Sequence, residues 1–192
     1  MIIIGLGHQK RTGKNIAASA MGDYLDNKNI SYSIHGFADK LKDICSDLYG
    51  WAGLKGRDYY ESHGNEKEVV LPAIKKSPRQ IWLAFGTLAV RNQVYEHTWA
   101  DYLLKNCKTD VLIIPDLRFP DEFEAIKRRG GACIKVIRHG LVKSADIADV
   151  ALSDETRWDY TIEAESGDIG MVRSQAKLLI CRILQENPND TD

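Results

Sequence analysis

The feature that most limits the fold of this chain is an apolar run that leads into a basic loop bounded by glycines. Residues 2–6 read IIIGL, a composition typical of a strand that is buried on both faces of a parallel sheet. The loop GHQKRTGK follows directly at residues 7–14. From Gly13 to Leu25, small and apolar residues recur at helical spacing. The sequence therefore predicts a strand, a tight loop and a helix in direct succession.

The rest of the chain alternates between strand and helix patterns. Further strands are predicted at residues 31–35, 110–116, 132–137 and 160–162, and further helices at residues 37–50, 77–94, 98–105, 120–129 and 172–183. Strands that alternate with helices favour right-handed crossover connections. We therefore predict an α/β fold with a five-stranded parallel sheet and helices on both of its faces.

The length of 192 residues suits one compact domain, which we expect to span residues 1–192. Residues 50–76 are polar and contain scattered glycines and aromatic residues. We expect an insertion there that is irregular or forms short helices, and long insertions of this kind are usually functional. The sequence SPRQ at residues 77–80 predicts a helix start, because Ser77 can cap the helix and Gln80 can reach back to the cap.

Charge and cysteine content exclude several classes of function. The formal net charge of −1 gives no overall attraction to a nucleic-acid polymer. The four cysteines and five histidines are scattered, without the spacing of a zinc site or a disulfide framework. We therefore expect reduced cysteines that behave as small buried hydrophobic side chains. No stretch reaches the ~20 apolar residues that a membrane span needs, so we expect a cytoplasmic protein without a membrane partner.

The loop resembles the phosphate-binding P-loop G-x-x-x-x-G-K-[ST], with two departures. His8 stands where the first glycine is expected, and Asn15 where a serine or threonine would bind magnesium. Histidine is among the residues that tolerate a positive φ, and an amide oxygen is still a hard ligand for Mg²⁺. A basic turn that only caps a helix is the alternative. The strand before the loop and the Gly13-Lys14 pair at the start of the helix favour phosphate binding.

Asp116 ends the most apolar of the predicted strands. Ligands of parallel sheets bind beyond the carboxyl ends of the strands, so Gly7–Lys14 and Asp116–Arg118 should meet in space. Taken alone, Asp116 is equally explained as a turn residue before Pro120. Beside a phosphate-binding loop, its carboxylate is expected to take part in binding magnesium.

Four arginines lie at helix starts, within helices or at strand ends, where a guanidinium can bind two phosphate oxygens at once. They are Arg79, Arg91, Arg118 and Arg138. A surface ion pair is the alternative explanation for each of them.

Five segments of the chain together resemble the bacteriophage-type deoxynucleoside monophosphate kinases, a branch of the P-loop kinases. These segments are IGLGHQKRTGKNIAA at 4–18, GFADKLKD at 36–43, SPRQIWLAFGTLAVR at 77–91, TWADYLL at 98–104 and PDLRFPDEFEAIKRRGGACIKVIR at 115–138. The motif D-[LV]-R-F-P-[DN]-E after a buried strand is the most specific of them. The resemblance implies a three-layer sandwich with substrate-binding and lid insertions, in which residues 139–157 form the lid.

The resemblance also implies a reaction and the residues that serve it. The reaction is transfer of the ATP γ-phosphate to a deoxynucleoside 5′-monophosphate, with Mg²⁺, on small-molecule substrates only. The implied ATP-binding residues are His8, Gln9, Lys10, Arg11, Thr12, Gly13, Lys14, Asn15 and Ile16, and the metal-binding residues are Asn15 and Asp116. The implied acceptor-binding residues are Phe37, Asp39, Lys42, Arg79, Gly86, Thr87, Arg91, Trp99 and Arg118. The catalytic group is expected to consist of Lys14, Arg11, Asp116, Arg118 and Arg138.

Two positions depart from the family pattern. Lys40 stands where many relatives carry proline, and VALSDE at 150–155 stands where His-Ser-Glu is expected. These departures concern substrate preference and the lid more than the type of reaction. If the sequence comes from a phage, the protein would act in the cytoplasm of the host.

Other interpretations remain open. A different small-molecule P-loop kinase, such as one that acts on dephospho-coenzyme A, would share this pattern. A nucleotide-binding switch without transfer activity is a third alternative, although the segment DNKN at 26–29 lacks the final acid of a guanine-reading N-K-x-D motif. Trp51, Tyr59 and Tyr60 either stack on a nucleobase or bury the insertion. The apolar residues of helix 77–94 either belong to the core or form a partner surface, such as that of a homodimer.

Overall fold

The structure is a computed structural model that describes residues 1–141 and 150–186. Its strands are β1 (Ile2–Gly7), β2 (Tyr32–Ile34), β3 (Val111–Leu117), β4 (Ala132–Arg138) and β5 (Tyr160–Ala164). Its α-helices are α1 (Lys14–Asp26), α2 (Asp39–Tyr49), α3 (Arg57–Ser62), α4 (Pro78–Trp82), α5 (Thr98–Asn106), α6 (Pro120–Lys127) and α7 (Ile169–Glu186). Short 3₁₀-helices span Gly50–Ala52 and Gly64–Glu68, and a π-helix spans Leu83–Arg91.

The chain divides into two compact units. The first consists of residues 1–36 together with the chain from residue 103 onward, and the second of residues 37–102. The insertion predicted at residues 50–76 lies within the second unit. As expected, it forms short helices, namely α3 and the two 3₁₀-helices.

The first unit is built on a five-stranded sheet in the order β2-β3-β1-β4-β5. Each pair of neighbouring strands is parallel. Strand β1 lies in the centre, where Ile4 pairs with Ile113 of β3 and with Ala132 of β4. The apolar run at residues 2–6 therefore forms the most enclosed strand of the sheet.

Helices cover both faces of this sheet. Ile4 and Leu6 of β1 pack on one face in a core cluster with Met21 of α1 and Ile180 of α7. On the other face, α6 packs its Ile126 side chain against Gly5 of β1. The prediction of a parallel five-stranded sheet with helices on both faces is confirmed.

The second unit has a smaller core. Leu41, Cys45, Leu54, Tyr60 and Ile81 form its buried cluster, and Trp82 and Phe85 pack against this cluster. The helix start predicted at Ser77 is confirmed, since the Ser77 hydroxyl accepts from Gln80 N and Gln80 Oε1 accepts from Ser77 N. The helix then widens into the π-helix, a change of geometry that the apolar spacing did not predict.

Candidate functional site

The loop between β1 and α1 alternates between left-handed and ordinary backbone conformations. His8 has φ 94°, Arg11 has φ 62° and Gly13 has φ 101°. The expectation that His8 tolerates a positive φ in place of glycine is confirmed. Alternating conformations of this kind turn successive backbone N–H groups toward one point and create an anion-binding concavity.

Lys14, the first residue of α1, reaches back over this loop. Only 6% of the residue is exposed. Its Nζ lies 3.3 Å from the carbonyl oxygen of His8 and 3.4 Å from the hydroxyl of Thr12, and it also donates to the carbonyl of Gln9. A buried ammonium group thus lies beside the loop amides and the positive end of the α1 dipole. Together these positive charges favour the binding of an anion.

Asp116 lies at the same edge of the sheet as this loop. Strands β1 and β3 are parallel neighbours, and Gly7 pairs with Leu117. The loop begins directly after Gly7, so the structure brings together the two charged segments that the sequence places apart. The carboxylate of Asp116 packs against Gly36, the second residue after β2.

Glu122 fixes the turn that follows Asp116, a role that the sequence analysis missed. Its carboxylate accepts from Arg118 N at 2.9 Å and from Phe119 N at 3.1 Å. The residue is only 6% exposed, and its Oε2 is the shared acceptor of both hydrogen bonds. Its position three residues after Phe119, in the first turn of α6, is the sequence signal that could have identified this contact.

Arg138 contacts the backbone of the loop. Its Nη1 donates to the carbonyl of Arg11 at 3.2 Å, and its Nε donates to the Ser166 hydroxyl at 3.2 Å. Ser166 lies after β5 and does not stand out in the sequence.

The segment that follows residue 150 packs against the base of the loop. The indole ring of Trp158 covers Gly7 so closely that a Cβ on Gly7 would lie 2.5 Å from Cη2. Arg157 pairs with Glu124 of α6 at 2.6 Å and with Glu155 at 2.7 Å. The hydrogen bond from the Arg157 side chain lowers the pKa of Glu155 to about 2. The predicted lid, residues 139–157, includes residues 142–149, which lie outside the described residues.

The oxygen donors near the loop suit magnesium better than a transition metal. Within residues 1–141 and 150–186, no group of three or more His, Cys, Asp or Glu side chains could hold a metal ion by itself. Asp116 supplies a carboxylate, and Asn15 supplies an exposed amide on the first turn of α1. Mg²⁺ typically binds to one or two protein oxygens together with substrate phosphates. This donor set fits that mode of binding.

The second unit contains the remaining residues that the resemblance assigns to the acceptor. Asp39 pairs with Arg57 at 2.7 Å, and Lys42 pairs with Glu61 at 3.6 Å. Trp99 donates from its indole nitrogen to the carbonyl of Gly86 at 3.1 Å.

The other predicted acceptor residues differ in burial. Arg79 pairs with Glu68 of the insertion. Phe37 is 2% exposed, which indicates packing. Thr87 and Arg91 are half-buried on the π-helix. Arg118, which the resemblance also assigns to the acceptor, belongs to the first unit.

Two of the aromatic side chains of the insertion have structural contacts that stacking on a base would disturb. Tyr60 is 2% exposed, packs edge-to-face on Trp82 and accepts a hydrogen bond from Lys55 N. Tyr59 stacks on His63 and donates to Glu66. Trp51, in contrast, is 74% exposed. Tyr60 therefore buries the insertion against the core of the second unit.

All four cysteines are free thiols, and they differ in burial. Cys45 and Cys133 are buried, as expected, whereas Cys107 and Cys181 are half-buried. Burial raises the pKa of Cys45 to about 11 and that of Cys133 to about 12, so both remain protonated at neutral pH. Among the described helices, none combines the length and the apolar character that crossing a bilayer requires.

Comparisons with known proteins agree with the resemblance in part. No protein-family model matches the sequence. A protein of Acanthamoeba polyphaga mimivirus, described as "Putative deoxynucleotide monophosphate kinase", is 29% identical over 159 residues, which cover 73% of this chain and 76% of that protein. The structure of shikimate kinase from Acinetobacter baumannii in complex with shikimate aligns with a TM-score of 0.44 and 14% identity, over 97% of this chain and 94% of that one. This chain is thus similar in sequence to a viral protein that is described as a nucleotide kinase.

Proposed function

We propose that this protein is an ATP-dependent kinase that transfers the γ-phosphate to a deoxynucleoside 5′-monophosphate, giving the diphosphate and ADP. The observation that carries the proposal is the loop after β1. Its left-handed residues, the buried Lys14 and the nearby carboxylate of Asp116 lie together at the carboxyl edge of the sheet. The description of the mimivirus relative supports the choice of acceptor.

The chemistry follows from charge. Phosphoryl transfer passes through a loose transition state, in which positioning and charge neutralisation matter more than covalent assistance. Lys14, Arg11 and Arg118 supply the positive field around the ATP phosphates, so no general base is proposed. Magnesium, when bound with ATP, neutralises phosphate charge, and Asp116 and Asn15 are the residues that would hold it.

We assign the acceptor to the residues that the family resemblance names, all of which except Arg118 belong to the second unit. Asp39 and Lys42 are held in place by partners from α3, namely Arg57 and Glu61. Fixed side chains bind a ligand with a smaller loss of conformational entropy than free ones do. Residues 139–157 are assigned the role of a lid that excludes water and so limits wasteful ATP hydrolysis.

The test is a coupled assay of ADP release with a panel of acceptors. The panel holds the four common deoxynucleoside monophosphates, their ribose counterparts and dephospho-coenzyme A. ADP release that depends on a deoxynucleotide supports the proposal. Release only with dephospho-coenzyme A identifies a different small-molecule kinase, and ATP binding without acceptor-dependent release identifies a nucleotide-binding module. A Lys14→Ala variant, run in parallel, separates turnover by this protein from a contaminating kinase.

A further inference from the structure

We propose that Arg138 and Ser166 form a brace that sets the backbone conformation of the phosphate-binding loop, and that Arg138 is a positioning residue and not a catalytic one. The inference rests on the proposed function, because it takes the loop to be the site of the ATP phosphates. It changes the role predicted for Arg138 and assigns a role to Ser166.

The contacts of Arg138 define the brace. Arg138 is the last residue of β4, the strand beside β1. Its Nη1 donates to the carbonyl of Arg11, while Nε and Nη2 both donate to the hydroxyl of Ser166. The guanidinium is planar and rigid, so the contact with Ser166 fixes the direction in which Nη1 points. Ser166 thereby orients the donor that holds the loop.

The residue that the brace holds is conformationally unusual. Arg11 has φ 62°, in the left-handed region that residues other than Gly, Asn, Asp and His seldom occupy. Such conformations persist where surrounding contacts over-determine them. The hydrogen bond from Arg138 to the Arg11 carbonyl is such a contact, and it reaches the loop from a strand distant in sequence.

This contact also sets the direction of the next backbone donor. The carbonyl of Arg11 and the N–H of Thr12 belong to one planar trans peptide, in which they point to opposite sides. Because Arg138 holds the Arg11 carbonyl, the Thr12 N–H is directed away from Arg138. The Thr12 hydroxyl donates to the carbonyl of Gln9 at 3.1 Å, so the loop is held from a second direction as well. We assign the Thr12 N–H to the donors that bind phosphate.

The positioning role and the catalytic role predict different binding patterns. A brace that shapes the loop affects every nucleotide whose phosphates the loop binds, so ATP and ADP should weaken equally. A guanidinium that binds the γ-phosphate during transfer would affect ATP and leave ADP unchanged. Removal of Ser166 should reproduce the effect of changing Arg138 only if the two residues act together.

The experiment measures ATP and ADP binding by isothermal titration calorimetry for Ser166→Ala, Arg138→Lys and the double variant. Lysine keeps the positive charge of Arg138 but lacks the forked guanidinium that donates to the Arg11 carbonyl and the Ser166 hydroxyl at the same time. We expect each single variant to bind ATP and ADP about tenfold more weakly than the original protein, the loss typical of a hydrogen bond that involves a charged group. The double variant should bind no more weakly than Arg138→Lys alone, because both changes disable the same brace.

Two exposed residues, Ser174 and Arg128, provide matched controls. Ser174→Ala and Arg128→Lys replace exposed residues of the first unit and should bind both nucleotides as before. Normal affinity of Ser166→Ala, or a loss confined to ATP in Arg138→Lys, overturns the brace. Equal losses for ATP and ADP in a protein that phosphorylates no acceptor would retain the brace and reject the proposed kinase reaction. Absence of nucleotide binding by the original protein would reject both.

Discussion

Gly36 and Asp116 are packed so closely that no side chain fits between them. A Cβ on Gly36 would lie 2.5 Å from Oδ2 and 2.8 Å from Cγ of Asp116. Gly36 follows β2, and Asp116 is the next-to-last residue of the neighbouring parallel strand β3. The pairing of β2 and β3 extends to His35, whose N–H donates to the carbonyl of Ile113. The glycine therefore determines where the carboxylate of Asp116 can lie.

A methyl group at position 36 should displace that carboxylate without unfolding the protein. The obstructing atoms are the far end of a flexible side chain, so Asp116 can rotate away. In Gly36→Ala we expect the Mg²⁺ concentration for half-maximal activity to rise about tenfold or more, the effect typical of a lost supporting contact. Gly64→Ala is the control, because nothing lies within 4 Å of its added Cβ. An unchanged Mg²⁺ dependence in Gly36→Ala would separate Asp116 from metal binding.

Replacement of Lys14 should strongly lower turnover while the fold persists. Its ammonium is buried over the loop, where charge stabilisation is stronger than in water. We expect both Lys14→Ala and Lys14→Met to lower kcat at least about a hundredfold, since methionine restores the volume but not the charge. Single-turnover measurements with saturating ATP test this, and Lys177→Met on the exposed face of α7 is the control. Substantial turnover by Lys14→Met would show that packing, and not charge, is the contribution of Lys14.

Removal of the Glu122 carboxylate should destabilise the turn that carries Arg118. Glu122→Ala leaves two backbone donors without their acceptor, which typically lowers the free energy of unfolding by about 2 kcal/mol or more. Glu122→Gln keeps one acceptor oxygen and should lose less. Urea unfolding of both variants measures the difference, and equal stability of Glu122→Ala and the original protein would contradict the role.

The ion pair of Glu155 and Arg157 should make stability sensitive to acid. The hydrogen bond from Arg157 lowers the pKa of Glu155 from its ordinary value of 4.5 to about 2 in the folded state. The contribution is therefore fully present above about pH 4.5 and is lost as the pH falls toward 2. Glu155→Gln should be less stable at pH 6 and should lose less stability between pH 4.5 and 2. Urea unfolding across this range tests it, with Glu165→Gln as the control, since Glu165 is an exposed carboxylate of the first unit. Parallel pH profiles for Glu155→Gln and the original protein would contradict the prediction.

The sequence predicts the sheet and the centre of the site because both depend on local patterns. The run at residues 2–6 consists of Gly5 and four large apolar residues, a composition typical of a strand covered on both faces. Asp116 lies at the end of an apolar strand and Lys14 follows the loop after another, and parallel topology places strand ends at one edge. The capping box of Ser77 and Gln80 is likewise contained within four residues. Each of these predictions needs only a short stretch of sequence.

The parts that the sequence did not predict depend on contacts between distant residues or on backbone geometry. Ser166 contacts Arg138, from which it is separated by 28 positions in the sequence. Gly36, after β2, contacts Asp116 of the neighbouring strand β3. The π-helix Leu83–Arg91 has an apolar spacing that suits an α-helix equally well, and the two differ in whether the backbone hydrogen bonds span five residues or four. The boundaries of the second unit, residues 37–102, are not marked by a change in amino-acid composition.

The central place of β1 in the sheet has a consequence for folding during synthesis. Its two neighbours begin at residues 111 and 132. At ribosomal speeds of about 5–20 residues per second, roughly 5 to 20 s pass between the emergence of β1 and that of β3. Residues 37–102 are complete within that interval and can fold through contacts of short sequence separation, which form fast. We therefore expect the second unit to fold before β3 and β4 have been synthesised. During that time β1 is an exposed apolar segment, and chaperones would be needed to prevent its aggregation.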